Sequence, residues 1–173
     1  MSLEAVPLLE GPIDSEQWCS MGFKTTDHKA PASLRGAVQG LLWHWEVTDR
    51  AFNEDVSLIV SELASNAVEH TQEDYHSASL TVWLNDGMLL VCVHDRSKKA
   101  AEPNTDFLGE GGRGLIIVNA LCSERNGYVE TCPDWDAQGK VVKAWLQVPT
   151  GNGKEVAVPT QSLTDYRPVL VNA

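Results

Sequence analysis

The chain has 173 residues, of which 43% are hydrophobic, and a formal net charge of −11. That length and apolar content suit one domain with a sizeable core, whereas the acidic balance and the lack of a basic run argue against direct nucleic-acid or membrane partners. No stretch approaches the roughly 20 apolar residues of a spanning helix, and the amino terminus lacks the basic-then-apolar order of a signal peptide, so the expected location is the cytoplasm.

Residues 1–17 mix apolar residues with Pro and Gly without a sustained period and are expected to form an N-terminal extension. WCSMGFKTT, residues 18–26, has the composition of a strand. Ser33 then precedes LRGAVQGLLWHWEV, where Leu34, Val38, Leu41, Leu42 and Trp45 keep helical spacing. A helix starting near Ser33 is expected, weakened by Gly36 and Gly40. Trp43 and Trp45 cannot share its apolar stripe, so one of them should be exposed. FNEDVSLIVSELASNAVEHT predicts a second, longer helix with Asn53 as its cap.

SASLTVWLND and GMLLVCVHD alternate on either side of Asp86-Gly87, a strong hairpin signal. Residues 96–112 are aperiodic and hold Pro, Asn, Asp and Gly, which predicts a long loop of the kind that often serves as a lid. RGLIIVNALCSE opens a third helix near Arg113, and SERNGYVETC and KVVKAWLQV read as two further strands that pair around a turn at 134–139. Helices therefore cover one face of a mixed, mostly antiparallel sheet, an α+β two-layer sandwich over residues 18–148. Residues 149–173 follow as a tail. Cys19, Cys92, Cys122 and Cys132 show no CxxC spacing and are expected to be buried free thiols. Cys92 and His94 would share one face of a strand, but the other histidines are scattered, which argues against a zinc site.

One segment of the long helix does not fit a purely structural role. At about 100° per residue, Val56, Ile59, Val60, Leu63, Ala64 and Ala67 form one apolar face. Asp55, Glu62, Asn66 and Glu69 gather along its flank, with no Lys or Arg between Arg50 and Arg96 to pair with them. Two later segments are also suggestive. VCVHD ends an apolar strand in Asp95, which can accept a hydrogen bond from an exocyclic amine or simply cap the following turn. GEGGRGL runs into the third helix, where glycines permit close approach and the free N–H groups of a helix start attract phosphate. Taken alone, that run is equally a tight loop.

In this order, VSELASNAVEH, then VCVHD, then GGRGLIIVNAL, the sequence resembles the GHKL, or histidine-kinase-like, ATPases, which carry an N box and two glycine boxes on a Bergerat-type sandwich. The resemblance covers about Trp18 to Val148 and is greatest to the small, stand-alone anti-sigma-factor type of serine kinase. It implies that Glu62 is the catalytic general base and that Asn66 binds the Mg²⁺ bridging the nucleotide phosphates. It further implies that Asp95 reads adenine, and that Gly112, Arg113, Gly114 and Leu115 form the phosphate-facing second glycine box, with residues 97–111 as the lid. ATP and Mg are the implied cofactors. The implied partners are proteins, a sigma factor or an anti-sigma-factor antagonist bearing the acceptor serine, and a homodimer using the amino-terminal strand as its edge.

The chain departs from the family pattern in its first glycine box, where Ser97 and Lys99 stand in place of the two glycines. Side chains there would narrow the adenine pocket. The alternative expectation is a nucleotide-gated binding module that sequesters a regulatory protein without turnover. Arg125, just after the third helix, is expected to favour that helix's carboxyl end through the dipole.

Overall fold

The computed structural model describes residues 17–70, 76–96, 112–134 and 139–149. The expected lid, the Ser97 and Lys99 substitutions, most of the N-terminal extension and nearly all of the tail lie outside those residues. Five strands, β1 (Gln17–Lys24), β2 (Ser77–Asn85), β3 (Met88–Asp95), β4 (Tyr128–Pro133) and β5 (Lys140–Gln147), form one sheet in the order β1-β2-β3-β5-β4. Each neighbouring pair is antiparallel. Three helices, α1 (Ala30–His44), α2 (Arg50–His70) and α3 (Gly112–Glu124), complete the α+β sandwich. Among the described residues no helix is long and apolar enough to cross a membrane.

Strand alternation decides which side chains meet the helices. Leu80 and Val82 of β2, Leu89, Val91 and Val93 of β3, and Val142, Ala144 and Leu146 of β5 join Val38, Leu42, Phe52, Val56, Ile59, Val60 and Leu63 in the main core. The opposite face carries a smaller cluster of Met88, Leu90, Cys92 and Trp145. There the Trp145 ring stands edge-on to Trp83 and stacks on Tyr128, with centroids 5.9 and 6.1 Å away. The β2–β3 turn has positive φ at Asp86 (48°) and Gly87 (74°), the two left-handed residues that a two-residue hairpin of matching twist requires.

Two helix starts differ from the sequence expectation. α1 begins at Ala30, so Ser33 lies inside its first turn; Pro31 fits there because it has no N–H to leave unsatisfied. Lys29 makes no side-chain cap, and its own N–H donates to Asp27 Oδ1 at 2.9 Å. α2 begins at Arg50, and its cap is Asp49, whose Oδ1 accepts the Phe52 N–H at 2.7 Å. Asn53 instead sits one turn inside and donates from Nδ2 to the Val47 carbonyl. The apolar period starts only at Phe52, which is why the sequence pattern placed the cap too late.

Both well-defined helix ends close in the same way. After α1, Glu46 takes φ 59°, its N–H donates to Trp43 O, and Val47 N–H donates to Leu42 O. After α3, Asn126 takes φ 50°, its N–H donates to Ser123 O, and Gly127 N–H donates to Cys122 O. These are paired bonds of the Schellman type, which satisfy carbonyls the helix leaves open. Trp43 is 78% exposed while Trp45 packs on the core, the division expected for two tryptophans off one stripe.

Candidate functional site

Glu62 and Asn66 lie one turn apart on α2, both half-buried, on the side that α3 packs against. The contact between the helices is set by Gly114 in the first turn of α3. A Cβ added to Gly114 would fall 2.5 Å from Glu62 Oε2 and 3.7 Å from Asn66 Nδ2. Glycine is therefore what lets the α3 backbone rest directly against the Glu62 carboxylate and the Asn66 amide. The first turn of α3 has no acidic residue of its own, so Glu62 brings the carboxylate to the positive end of that helix's dipole.

A bond at the far end fixes the level at which these groups sit. Arg125, just past α3, donates to Asp55 of α2 from Nε at 2.9 Å and from Nη2 at 2.6 Å, and its carbonyl accepts the Gln147 N–H of β5. From that anchor, Gly114 lies about 16 Å back along α3 and Asn66 about 16 Å forward along α2, at about 1.5 Å per residue. Along β5, Lys140 lies about 23 Å from Gln147, at about 3.3 Å per residue. The Arg125–Asp55 bond at one end and the Gly114–Glu62 approach at the other set α2 and α3 side by side over this length.

Asp95 belongs to the sheet side of the sandwich. It is the last residue of β3, only 2% exposed, and its side chain points to the helix layer in phase with Val91 and Val93. Directly across the ladder stands Lys140, whose Nζ is 3.8 Å from Asp95 Oδ2. A Cβ on Gly139 would meet the Asp95 carbonyl at 2.5 Å, so glycine allows the turn before β5 to close against the end of β3. On the other face, His94 Nε2 lies 2.7 Å from Asp134 Oδ2, which ties the ends of β3 and β4 together.

Of the residues singled out from sequence, Glu62, Asn66 and Gly114 are brought together, and Asp95 ends β3 opposite Lys140 with its side chain on the helix side of the sheet. Gly112 opens α3, Arg113 is exposed, and Leu115 packs into the main core. Among the described residues no group of three or more His, Cys, Asp and Glu side chains is arranged to hold a metal. Arg125, directly after the last residue of α3, also pairs with Asp55 and lies 5.7 Å over the Phe52 ring. Lys140, Gly139 and Asp134 were not singled out from sequence. Lys140 becomes visible only through the β3–β5 register, which joins strands that are not neighbours in the chain.

An open antiparallel sheet layered by helices, with a carboxylate and an amide set against a glycine at a helix start, defines an α+β sandwich. The chain belongs to the histidine kinase-like ATPases, whose domain model matches residues 25–144. ATP is the ligand that membership implies. Among solved structures, a chain from the SiaB–SiaC complex of Pseudomonas aeruginosa has a similar fold, with 13% sequence identity and a TM-score of 0.55 over 74% of this chain and 89% of that one. No curated protein is similar enough in sequence to count as a relative.

Proposed function

We propose that this protein is an Mg-ATP-dependent protein serine/threonine kinase of the anti-sigma-factor type, which phosphorylates a protein antagonist. The observation that carries this reading is the seating of Glu62 and Asn66 against Gly114 at the start of α3. The donor set suits the ligands: Asn66 offers a hard, neutral amide oxygen for Mg²⁺ and the α3 start offers backbone N–H groups for phosphate. Mg²⁺, when bound, would neutralise charge on the phosphates. Arg113, exposed beside Gly114, supplies a further cation for them.

Glu62 is the general base in this reading. An ionised carboxylate accepts the proton of a serine hydroxyl held within hydrogen-bond reach as its oxygen bonds to the γ-phosphorus, while the bond from that phosphorus to the β–γ bridging oxygen breaks and ADP leaves. Positioning of that hydroxyl by the partner is the larger requirement, so turnover without the partner should be slow. Asp95, held at the strand end, accepts a hydrogen bond from the adenine amine. Phosphate on the partner's serine adds about two negative charges, and a chain of net charge −11 repels the product. This favours release of the modified antagonist and retention of a sigma factor, within a cytoplasmic and dimeric assembly.

Calorimetric titration with Mg-ATP on the wild type, Asn66→Ala and Asp95→Asn tests the site. Phosphotransfer to a serine-bearing antagonist with Glu62→Gln then tests the chemistry. We expect saturable binding weakened by the first two changes, and a loss of transfer on the order of 10²-fold or more in Glu62→Gln with binding kept. No binding at millimolar ATP would sink the kinase reading and leave a protein-binding module without turnover, the outcome that Ser97 and Lys99 would favour.

A further inference from the structure

Lys140 lies beside the carboxylate assigned to the base, and nothing in the proposed chemistry uses it. Its position is fixed by backbone: Asp95 and Lys140 are direct partners in the β3–β5 register, with Nζ 3.8 Å from Oδ2. The Asp95 side chain is 3% exposed and that of Lys140 18%. Gly139 seats the start of β5 against the Asp95 carbonyl, so the pair is held by two strands and does not depend on a surface side chain reaching inward.

A carboxylate accepts hydrogen bonds and an ammonium only donates them. Together they present one acceptor and one donor side by side. The adenine edge presents an amine donor at C6 next to a ring-nitrogen acceptor. Guanine and hypoxanthine present the reverse order, a carbonyl acceptor at C6 next to a ring N–H donor. Against a lone carboxylate the C6 carbonyl would leave two acceptors facing each other, an arrangement that rejects it. With an ammonium beside the carboxylate, each order finds both complements.

We propose that Lys140 widens the base choice of this site, so that guanine and hypoxanthine nucleotides bind alongside adenine nucleotides. This rests on the nucleotide reading above and assigns its specificity to a residue of β5. With adenine, Asp95 accepts from the amine and Lys140 donates to the ring nitrogen. With guanine or hypoxanthine, Asp95 accepts from the ring N–H and Lys140 donates to the carbonyl oxygen. A Lys140 that served only to neutralise a buried carboxylate would affect stability without changing the ratio of the affinities.

The test is titration of the full chain with Mg-ATP, Mg-GTP and Mg-ITP, for wild type, Lys140→Met, Lys140→Arg and Asp95→Asn. We expect wild-type affinities for GTP and ITP within about tenfold of that for ATP. Lys140→Met should weaken GTP and ITP by at least about tenfold more than ATP, and Lys140→Arg should keep the wild-type ratio. The wild-type ratio stands as evidence even if Lys140→Met fails to fold. Discrimination against GTP and ITP of about 100-fold or more in the wild type overturns the proposal, as does an equal loss of all three in a folded Lys140→Met. If ATP binds in an Asp95-dependent way while the ratio ignores Lys140, the nucleotide reading stands and only the role of Lys140 falls. If none of the three binds, both fall together.

Discussion

The two ends of α3 use glycine for the same geometric purpose against very different neighbours. At the exit, a Cβ on Gly127 would fall 1.8 Å from the Trp145 carbonyl and 2.6 Å from its carbon. Those atoms belong to the backbone of β5 and have nowhere to go. At the entrance, the atom in the way of a Gly114 Cβ is the tip of the Glu62 side chain. That tip can swing aside. The exit also has its charges satisfied, with Arg125 held by Asp55, whereas among the described residues neither Glu62 nor Asn66 makes a side-chain hydrogen bond or ion pair. One end is committed to stability, and the other keeps its two polar side chains outside any hydrogen bond or ion pair among the described residues.

That contrast predicts opposite outcomes for the same substitution. Gly127→Ala should destabilise the fold by about 3 kcal/mol or more, because overpacking against backbone has no cheap relaxation. In a thermal melt this is a fall of about 10 °C, and a shift under 2 °C would show that β5 can move and that the exit is not rigid. Arg125→Ala should cost about 1–2 kcal/mol, since it removes a pair that is only partly exposed and a cation over the Phe52 ring. Combining it with Asp55→Ala in a double-mutant cycle should recover most of that loss as coupling, and additive losses would mean the bridge is incidental.

Gly114→Ala should behave differently, because the obstacle at the entrance is a side-chain tip. Its cost in a denaturant melt should stay near or below about 1 kcal/mol, yet it should impair Mg-ATP binding or phosphotransfer by displacing the Glu62 carboxylate. A variant that melts like Gly127→Ala would place both glycines in the same structural role. A separate expectation, confined to alkaline solution, concerns pH. Burial pushes the Cys92 thiol up to about 12, above its ordinary value of 9.0. The folded chain then keeps a proton that the unfolded chain loses above pH 9, so this residue's contribution is complete below pH 9 and declines as pH rises towards 12. The alkaline side of the stability profile should be shallower in Cys92→Ala, and an unchanged slope would remove the thiol from the account.

Much of the architecture was legible because it is written locally. The 3.6-residue period of α2, the alternation of β2 and β3 and the Asp86-Gly87 turn each specify their element through burial of one face, and the order of elements points to a sandwich. Glu62 and Asn66 stand out in the sequence as polar residues beside a stripe that a solvated helix would have lined with basic partners, and the titrations above decide what they do. Helix starts were less legible: Asp49 caps α2 from outside the apolar period, and α1 accepts Pro31 in its first turn without any side-chain cap.

Sequence by itself determined the five strands, the three helices, the family resemblance and the residues expected to carry chemistry, since each depends on neighbours a few positions away. Tertiary structure alone decided that β5 inserts between β3 and β4 and so sets Lys140 against Asp95. It alone turned Arg125 towards Asp55 and laid Gly114 against Glu62. These contacts join residues about 45 to 70 positions apart. No local period encodes such a pairing; it is selected by the burial of one shared core and by the sheet register that this burial fixes.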